Sequence, residues 1–260
     1  MVTNKELNDR REAGCWAVFA DKMYFRLGNS CMKRTLRRHE WQSHPKTGRL
    51  VVPPASYPQR WKTDAAILQF LAERTDIPLP HLQYACEDDG AFCLATEYVE
   101  GVSMSELGEE EKQVVIQELL HYVEILRSLK SDMPGVPGEE LLCTPQRLTR
   151  NLWKIHSCWR VRESDSDEKK ESYVFCHNDL GQHNVIVDPK TLKINAIIDW
   201  EFGGFWPEWF ERPYWERRGP SSPLEGEEDD IERCRQWLTD NCDEVVMPHL
   251  GGASENEGSS

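Results

Sequence analysis

Apolar positions along the chain fall into two textures. Up to about residue 100 they come in short, strand-like runs. CWAVFADKMYFRLGNSCMKR (15–34) reads as strand on either side of a Gly28-Asn29 turn signal, and two further runs, Leu82–Cys86 and Ala91–Thr96, flank Asp88-Asp89-Gly90, a good hairpin turn. One helix fits among them, 63–74, with Ile67, Leu68 and Leu71 on one stripe. The stretch before it, 41–61, holds four prolines and reads as an irregular excursion. IPLP (77–80) after it is held extended by its prolines.

Beyond Gly101 the spacing lengthens. Val115, Leu119, Val123, Leu126 and Leu129 recur at helical intervals between Glu109 and Leu129, behind an acidic run that suits a helix N-terminus. A Pro/Gly loop is expected at 131–140, a helix over 144–160 and a solvated loop at 163–172. Two apolar strands, Val185–Val187 and Ile194–Ile198, surround an Asp188-Pro189-Lys190-Thr191 turn, and a helix is expected near 227–239. The pattern is that of an α+β protein in two lobes. A small β-rich N-lobe spans 1–100, a larger helical C-lobe spans 101–245, and 246–260 is a disordered tail.

Composition narrows the function. Of 260 residues, 31 are Lys or Arg and 45 Asp or Glu, a net charge of −14, so duplex nucleic acid is a poor partner. Hydrophobic residues at 39% are enough for a core, and no apolar run reaches the roughly 18 residues of a membrane span. The polar opening MVTNKELNDRREAG lacks the apolar stretch of a signal peptide. Nine cysteines, an odd number without a CxxC, read as reduced thiols of a cytoplasmic protein. An anionic ligand would have to be held by local cations or a metal, against the overall field.

The chemistry concentrates in YVFCHNDLGQHNVIVDPKTLKINAIIDWE (173–201). Asn184 opens one strand and Asp199 closes the next, so an antiparallel hairpin brings them together, with Asp179 on the loop that feeds it. Two carboxylates and a carboxamide are hard oxygen donors suited to Mg²⁺ on phosphate oxygens, and a loop Asp suits a base beside an acceptor hydroxyl. In the first lobe, strand alternation puts Lys33 and Arg34 on opposite faces, so one points into the cleft; the lysine is expected there and Arg34 in solvent. Asp64 shares the core-facing stripe of its helix and needs a cation, for which Lys33 is the candidate.

HNDLGQHN followed by IIDWE resembles the catalytic loop and metal-binding segment of the aminoglycoside phosphotransferase/choline kinase-like family, which has the protein-kinase fold. IPLP, ATEYVEG and GFWPEWFE bring the resemblance closest to short fungal members of that family. The resemblance covers roughly residues 20–240. It implies ATP and Mg²⁺ as cofactors and transfer of the γ-phosphate to a hydroxyl of a small molecule. Asp179 takes the place of the catalytic base, His177 of the histidine bracing the loop, and Asn184 and Asp199 of the metal ligands. Lys33 takes the place of the phosphate-binding lysine, Asp64 of its partner (usually Glu), and Thr96, Glu97, Tyr98 and Val99 of the linker that pairs with adenine. Glu201 is left between a second metal ligand and a brace for its loop.

Two features depart from the pattern. No G-x-G-x-x-G precedes Lys33, and Ala20–Ser30 carries only Gly28. This leaves room for a kinase-like binding protein without turnover. A Ser/Thr protein kinase ranks last, for want of D-F-G and A-P-E boundaries. Trp200, Trp206, Trp209 and Trp215 are either core or an aromatic wall for the acceptor. Glu201, Glu208, Glu211 and Glu216 nearby, with the overall acidity, point to a cationic or neutral acceptor. Oligomeric state is not legible.

Overall fold

The computed structural model describes residues 2–44, 46–162 and 172–250. A short helix α1 (Asn4–Asp9) leads into strands β1 (Cys15–Val18), β2 (Lys22–Leu27) and β3 (Ser30–Thr35). Two minimal strands, β4 (Gln42–Ser43) and β5 (Leu50–Val51), pair with each other before helix α2 (Tyr57–Arg74). Strands β6 (Leu82–Asp88) and β7 (Ala91–Glu97) complete an antiparallel sheet in the order β1-β2-β3-β7-β6. Its last hairpin turns on Asp89 and Gly90, both with positive φ, as that turn signal requires.

The second half opens with β8 (Val102–Ser103), α3 (Glu109–Ser128), β9 (Lys130–Ser131) and β10 (Leu142–Cys143). It continues through β11 (Ser157–Val161), β12 (Tyr173–Cys176), β13 (Val185–Val187), β14 (Ile194–Ile197) and β15 (Gly204–Trp206), and ends with α4 (Ile231–Asn241) and β16 (Cys242–Val246). These strands form three three-stranded sheets, β10-β11-β16, β15-β12-β9 and β14-β13-β8. The second half is therefore less helical than its apolar spacing suggests. The expected helix over 144–160 is a 3₁₀ segment (Gln146–Leu152) broken by left-handed Asn151, Leu152 and Lys154, after which β11 begins. Three such residues in four positions are incompatible with a continuing α-helix.

Helix α2 is the element that ties the halves together. Tyr57, Trp61 and Ala65 pack against Phe92 and Leu94 of β7, while Ile67, Leu68 and Leu71 enter the main core with Met104, Val115, Leu119, Phe175, Val185, Ile197 and Trp200. The helix begins six residues earlier than the apolar stripe indicates. Pro58 sits in its first turn, where the missing N–H costs nothing, so the prolines of 41–61 do not exclude it. At Gly101 (φ +142°) the chain passes so close to β13 that a Cβ would lie 2.6 Å from the Val187 carbonyl, so a side chain is excluded there.

Two further expectations are corrected, and a third falls outside the described residues. Arg34 does lie on the face opposite Lys33, but that face is covered by Met23, Phe25, Leu36 and Met32. Its guanidinium, 2% exposed, binds both oxygens of buried Glu40 at 2.7 and 2.8 Å and also pairs with Glu12. Residues 246–250, expected with the tail, belong to the fold. Val246 pairs with Ser157, Met247 donates to the His156 carbonyl at 2.9 Å, and Leu250 packs against the Tyr57–Trp61 cluster. The solvated loop expected at 163–172 lies, but for Ser172, outside the described residues.

Breaking the Arg34–Glu40 pair by Arg34→Met would leave a buried carboxylate unpaired, a loss of about 3–5 kcal/mol. We expect the melting temperature to fall by roughly ten degrees in thermal unfolding, and the double variant Arg34→Met/Glu40→Leu to recover most of it.

Candidate active site

Strands β13 and β14 pair antiparallel, Val185 opposite Ile197, and the ladder continues where the Ile198 amide donates to the Asn184 carbonyl at 3.0 Å. Asn184 therefore stands beside the residue that precedes Asp199. Its side-chain amide donates to the Asp179 carbonyl at 2.8 Å and to Asp179 Oδ2 at 3.2 Å. That commits the nitrogen and leaves the carboxamide oxygen for a cation.

His177 holds the two loops in register. Its Nε2 donates to the Ile198 carbonyl at 3.0 Å, and its Nδ1 accepts the Asp179 amide at 3.2 Å. Burial lowers its pKa to about 4, so the ring is neutral with its proton on Nε2. Asn178 and Asp199 both adopt left-handed φ (65° and 67°), a conformation that persists only where the surroundings enforce it. The enforcement is visible around Asn178. Glu211 accepts the amides of His177 and Asn178, Asn178 Nδ2 donates to the Phe202 carbonyl at 3.0 Å, and buried Arg147 donates to the Asn178 carbonyl at 3.3 Å.

Lys33 is the electrostatic centre. Its Nζ lies 2.6 Å from Asp199 Oδ1, 2.9 Å from Asp64 Oδ2 and 3.7 Å from Glu201 Oε2. Burial opposes the charge on Lys33, but Asp199, Asp64 and Glu201 together outweigh it and raise its pKa well above the ordinary lysine range. Asp199 is partly open to solvent; desolvation opposes its charge too, yet Lys33 holds it ionised, below the usual carboxylate range. Asp64 is pushed the other way, chiefly by burial and secondarily because it shares the lysine with Asp199. Asp64 spans the distance to Lys33 without the extra methylene of a Glu.

Glu201 is answered by its partners. Oε1 binds Arg60, and Oε2 accepts the Trp61 indole N–H at 2.7 Å, both from α2. Both oxygens are committed within the protein, so Glu201 anchors its loop to the helix. Sequence reasoning missed Arg60, Trp61 and Arg147, and read Glu211 as a charge near the acceptor rather than as the brace of the His177–Asn178 backbone. Their signal was weak, because each lies far along the chain from the group it holds. The tryptophans divide plainly: Trp200, Trp206 and Trp215 are buried in the cores, and Trp209 packs beside them on Phe210.

On the nucleotide side, alternation places Tyr24, Arg26, Cys31, Lys33, Leu94 and Thr96 on one sheet face. Of the linker, Thr96 and Glu97 end β7, the Glu97 amide donates to His81 and the Tyr98 amide to Asn29, each at 2.8 Å, and Arg26 stacks on the Tyr98 ring at 3.6 Å. Where a glycine-rich loop would stand, the β1–β2 turn is pinned by side chains. Tyr57 donates to Asp21 and Gln42 donates to the Phe19 carbonyl, both at 2.7 Å. Among the described residues no group of three His, Cys, Asp or Glu forms a metal cluster. The donor pair present, an ionised Asp199 and the Asn184 carboxamide, fits Mg²⁺, which takes few protein ligands and fills its octahedron with water and phosphate oxygens. No described helix is long and apolar enough to cross a membrane.

A lysine fixed between carboxylates, an Asn/Asp oxygen pair on a hairpin and a buried loop aspartate form an arrangement chemically suited to phosphoryl transfer. The profile of the phosphotransferase enzyme family matches residues 20–211, and the chain belongs to that family as an ATP-dependent phosphotransferase of small molecules. It is 25% identical over 210 residues to an aminoglycoside 3'-phosphotransferase of Streptomyces fradiae, covering 66% of this chain and 78% of that protein. A second such enzyme, from Streptomyces ribosidificus, is 31% identical over 150 residues, covering 52% and 57%. Among solved structures, aminoglycoside phosphotransferase APH(3'')-Id from Streptomyces rimosus superposes with a TM-score of 0.49 at 18% identity, covering 78% of this chain and 76% of that one.

Asp179 is buried and faces the charge of Asp199, which together raise its pKa to about 7. The folded chain thus binds this proton more tightly than the unfolded chain. The resulting stabilisation is full below the unfolded carboxyl's range near pH 4, declines as pH rises from there, and is gone above about pH 7. We expect metal-free Asp179→Asn, neutral at every pH, to melt several degrees above the parent at pH 8. The gap should close toward pH 4, as read by thermal unfolding across that range.

Proposed function

We propose that this enzyme moves the γ-phosphate of ATP to a hydroxyl of a small molecule through the residues gathered around Lys33. The carrying observation is the meeting of Lys33 with Asp199 and Asp64 at 2.6 and 2.9 Å, beside the Asp179–Asn184 pair. Asn184 and Asp199 would hold Mg²⁺, which supplies charge neutralisation at the phosphates. Lys33 positions the phosphates, and Asp64 and Glu201 keep the lysine in place. Asp179, with a pKa of about 7, is poised to orient the acceptor hydroxyl and take its proton. His177 holds Asp179 and Asp199 at a fixed spacing. The linker Thr96–Val99 would meet adenine; with the Glu97 and Tyr98 amides already taken by His81 and Asn29, the amide edge falls to Val99. Most of the rate would come from positioning and electrostatics, because phosphoryl transfer needs little covalent help.

The acceptor class remains the finer question. The sequence admits cationic and neutral acceptors, and the named relatives are aminoglycoside enzymes. The acidic residues that favoured a cation are mostly spoken for. Glu201 and Glu211 are tied to α2 and to the catalytic loop, and exposed Glu208 faces Arg127 at 3.6 Å. Membership of the short fungal subgroup has its support in the IPLP, ATEYVEG and GFWPEWFE segments.

Asp179→Asn should abolish phosphate transfer while leaving Mg²⁺-dependent ATP binding, read by thermal shift, close to that of the parent. An Asp179→Asn enzyme that still turns over would remove Asp179 from the base role. Lys33→Met should lose the Mg²⁺-dependent shift itself.

A further inference from the structure

A cavity of about 380 Å³ opens beside Asp179. Its wall carries the amide of Gln146, the hydroxyls of Thr149, Ser221 and Ser222, the imidazole of His183 and the guanidinium of Arg150, with Arg147 behind. Apart from the His183 ring, no aromatic side chain and no aliphatic one larger than proline lines it, and Asp179 is its only carboxylate. The volume is at the small end for ligand sites, and such a wall suits a compact, hydroxyl-rich molecule.

The charges of this wall are already balanced. Arg147, fully buried, pairs with Asp230 at 3.2 Å and holds the Phe210 carbonyl at 2.7 Å. Arg150 donates to the Pro223 carbonyl at 2.7 Å and stands 3.7 Å from Asp229. With both guanidiniums answered by aspartates, a polycation would find the single carboxylate of Asp179 to pair with, too few for several ammonium groups. A polyanion would meet Asp179 and the two aspartates behind the arginines.

One group in the wall awaits a partner. Ser221 is 8% exposed, and its Oγ is near enough to Asp179 to favour the charged carboxylate, yet it makes no hydrogen bond to any described group. Gly181 keeps this corner open: a Cβ there would lie 2.8 Å from Ser221 Oγ and 2.6 Å from the His183 ring. A buried hydroxyl without a partner is uncommon, and one bordering a cavity next to the catalytic carboxylate is placed to bind a hydroxyl of the acceptor.

We infer that the acceptor is an uncharged polyhydroxyl compound of about monosaccharide size, bound by Ser221, Gln146 and Arg150 with one hydroxyl on Asp179. This rests on the phosphotransfer reading above and sets its substrate class.

The test is ADP release by the full chain with ATP and Mg²⁺, offered matched probes: neutral hexoses, hexitols and inositols; glucosamine and kanamycin as cations; glucuronate as an anion. We expect the neutral set to be used with kcat/KM at least tenfold above the charged sets. Ser221→Ala should raise KM for the neutral acceptor about three- to tenfold, the weight of one hydrogen bond, with KM for ATP unmoved. A merely structural serine would not split the two constants. Preference for an amino or acidic probe, or no stimulation by any neutral probe while Mg²⁺-dependent ATP binding is intact, overturns the inference and leaves the phosphotransfer reading standing. Absence of that ATP binding fells the phosphotransfer reading and the inference with it.

Discussion

The whole site hangs on one lysine shared by three carboxylates. Lys33 reaches Asp64 on α2, Asp199 just past the β13–β14 hairpin and Glu201 two residues on, so a single ammonium joins the sheet, the helix and the loop after β14. Burying one cation among three anions leaves a surplus of negative charge that protein alone meets only in part, through Arg60 on Glu201. The same surplus makes the position receptive to a divalent cation and to the lysine's transfer onto phosphate oxygens. The division of labour among the three is set by their other partners. Glu201 is saturated by Arg60 and Trp61, Asp64 has no cation but the lysine among its described bonds, and Asp199 alone is partly open to solvent.

Around this centre the fold supplies rigidity where a kinase-type site needs fixed spacing. His177 joins the amide of Asp179 to the carbonyl of Ile198, so Asp179 and Asp199, the proposed base and metal ligand, cannot drift apart without breaking a buried hydrogen bond. The two left-handed residues, Asn178 and Asp199, are each adjacent to a group that His177 holds. The strain at Asn178 is offset by the buried bonds of Glu211, Arg147 and Phe202 rather than by glycine. On the nucleotide side the β1–β2 turn follows the same logic. Side-chain bonds from Tyr57 and Gln42 take over the role of shape that a glycine-rich loop would fill by flexibility.

The sequence was most informative where function and local structure coincide. HNDLGQHN and IIDWE are contiguous, and the period-2 strands around Asp188–Thr191 dictate the hairpin that joins Asn184 to Asp199. The helix over 109–129 and the hairpin at Asp89-Gly90 were legible because spacing and turn chemistry are local signals. Arg34 was misplaced because alternation gives its face but not what covers that face; the cover comes from Leu7, Trp41 and Glu40, on separate segments. The 144–160 stretch failed for a different reason. Its apolar residues pack as 3₁₀ turns and strand, and left-handed backbone at Asn151, Leu152 and Lys154 is not announced by glycine. Arg60 and Trp61 escaped notice because they sit in a helix turn that prolines seemed to forbid.

The placement of α2 explains why a chain with so negative a balance can hold a phosphate ester. One side of this helix gives Trp61 and Tyr57 to the sheet, the next gives Ile67, Leu68 and Leu71 to the main core, and between them Arg60 and Asp64 face the site. The helix thus fixes the position of Lys33 relative to Asp199 from both sides at once, by packing and by charge. Lys33 and Arg60 are held where packing enforces them, and the carboxylates they face, Asp64, Asp199 and Glu201, leave the surplus that a divalent cation would answer, while Glu211 is tied to backbone amides. Global charge then governs what the molecule repels at a distance, and the buried network governs what it holds in contact. Screening over about 8–10 Å separates the two regimes, so neither predicts the other.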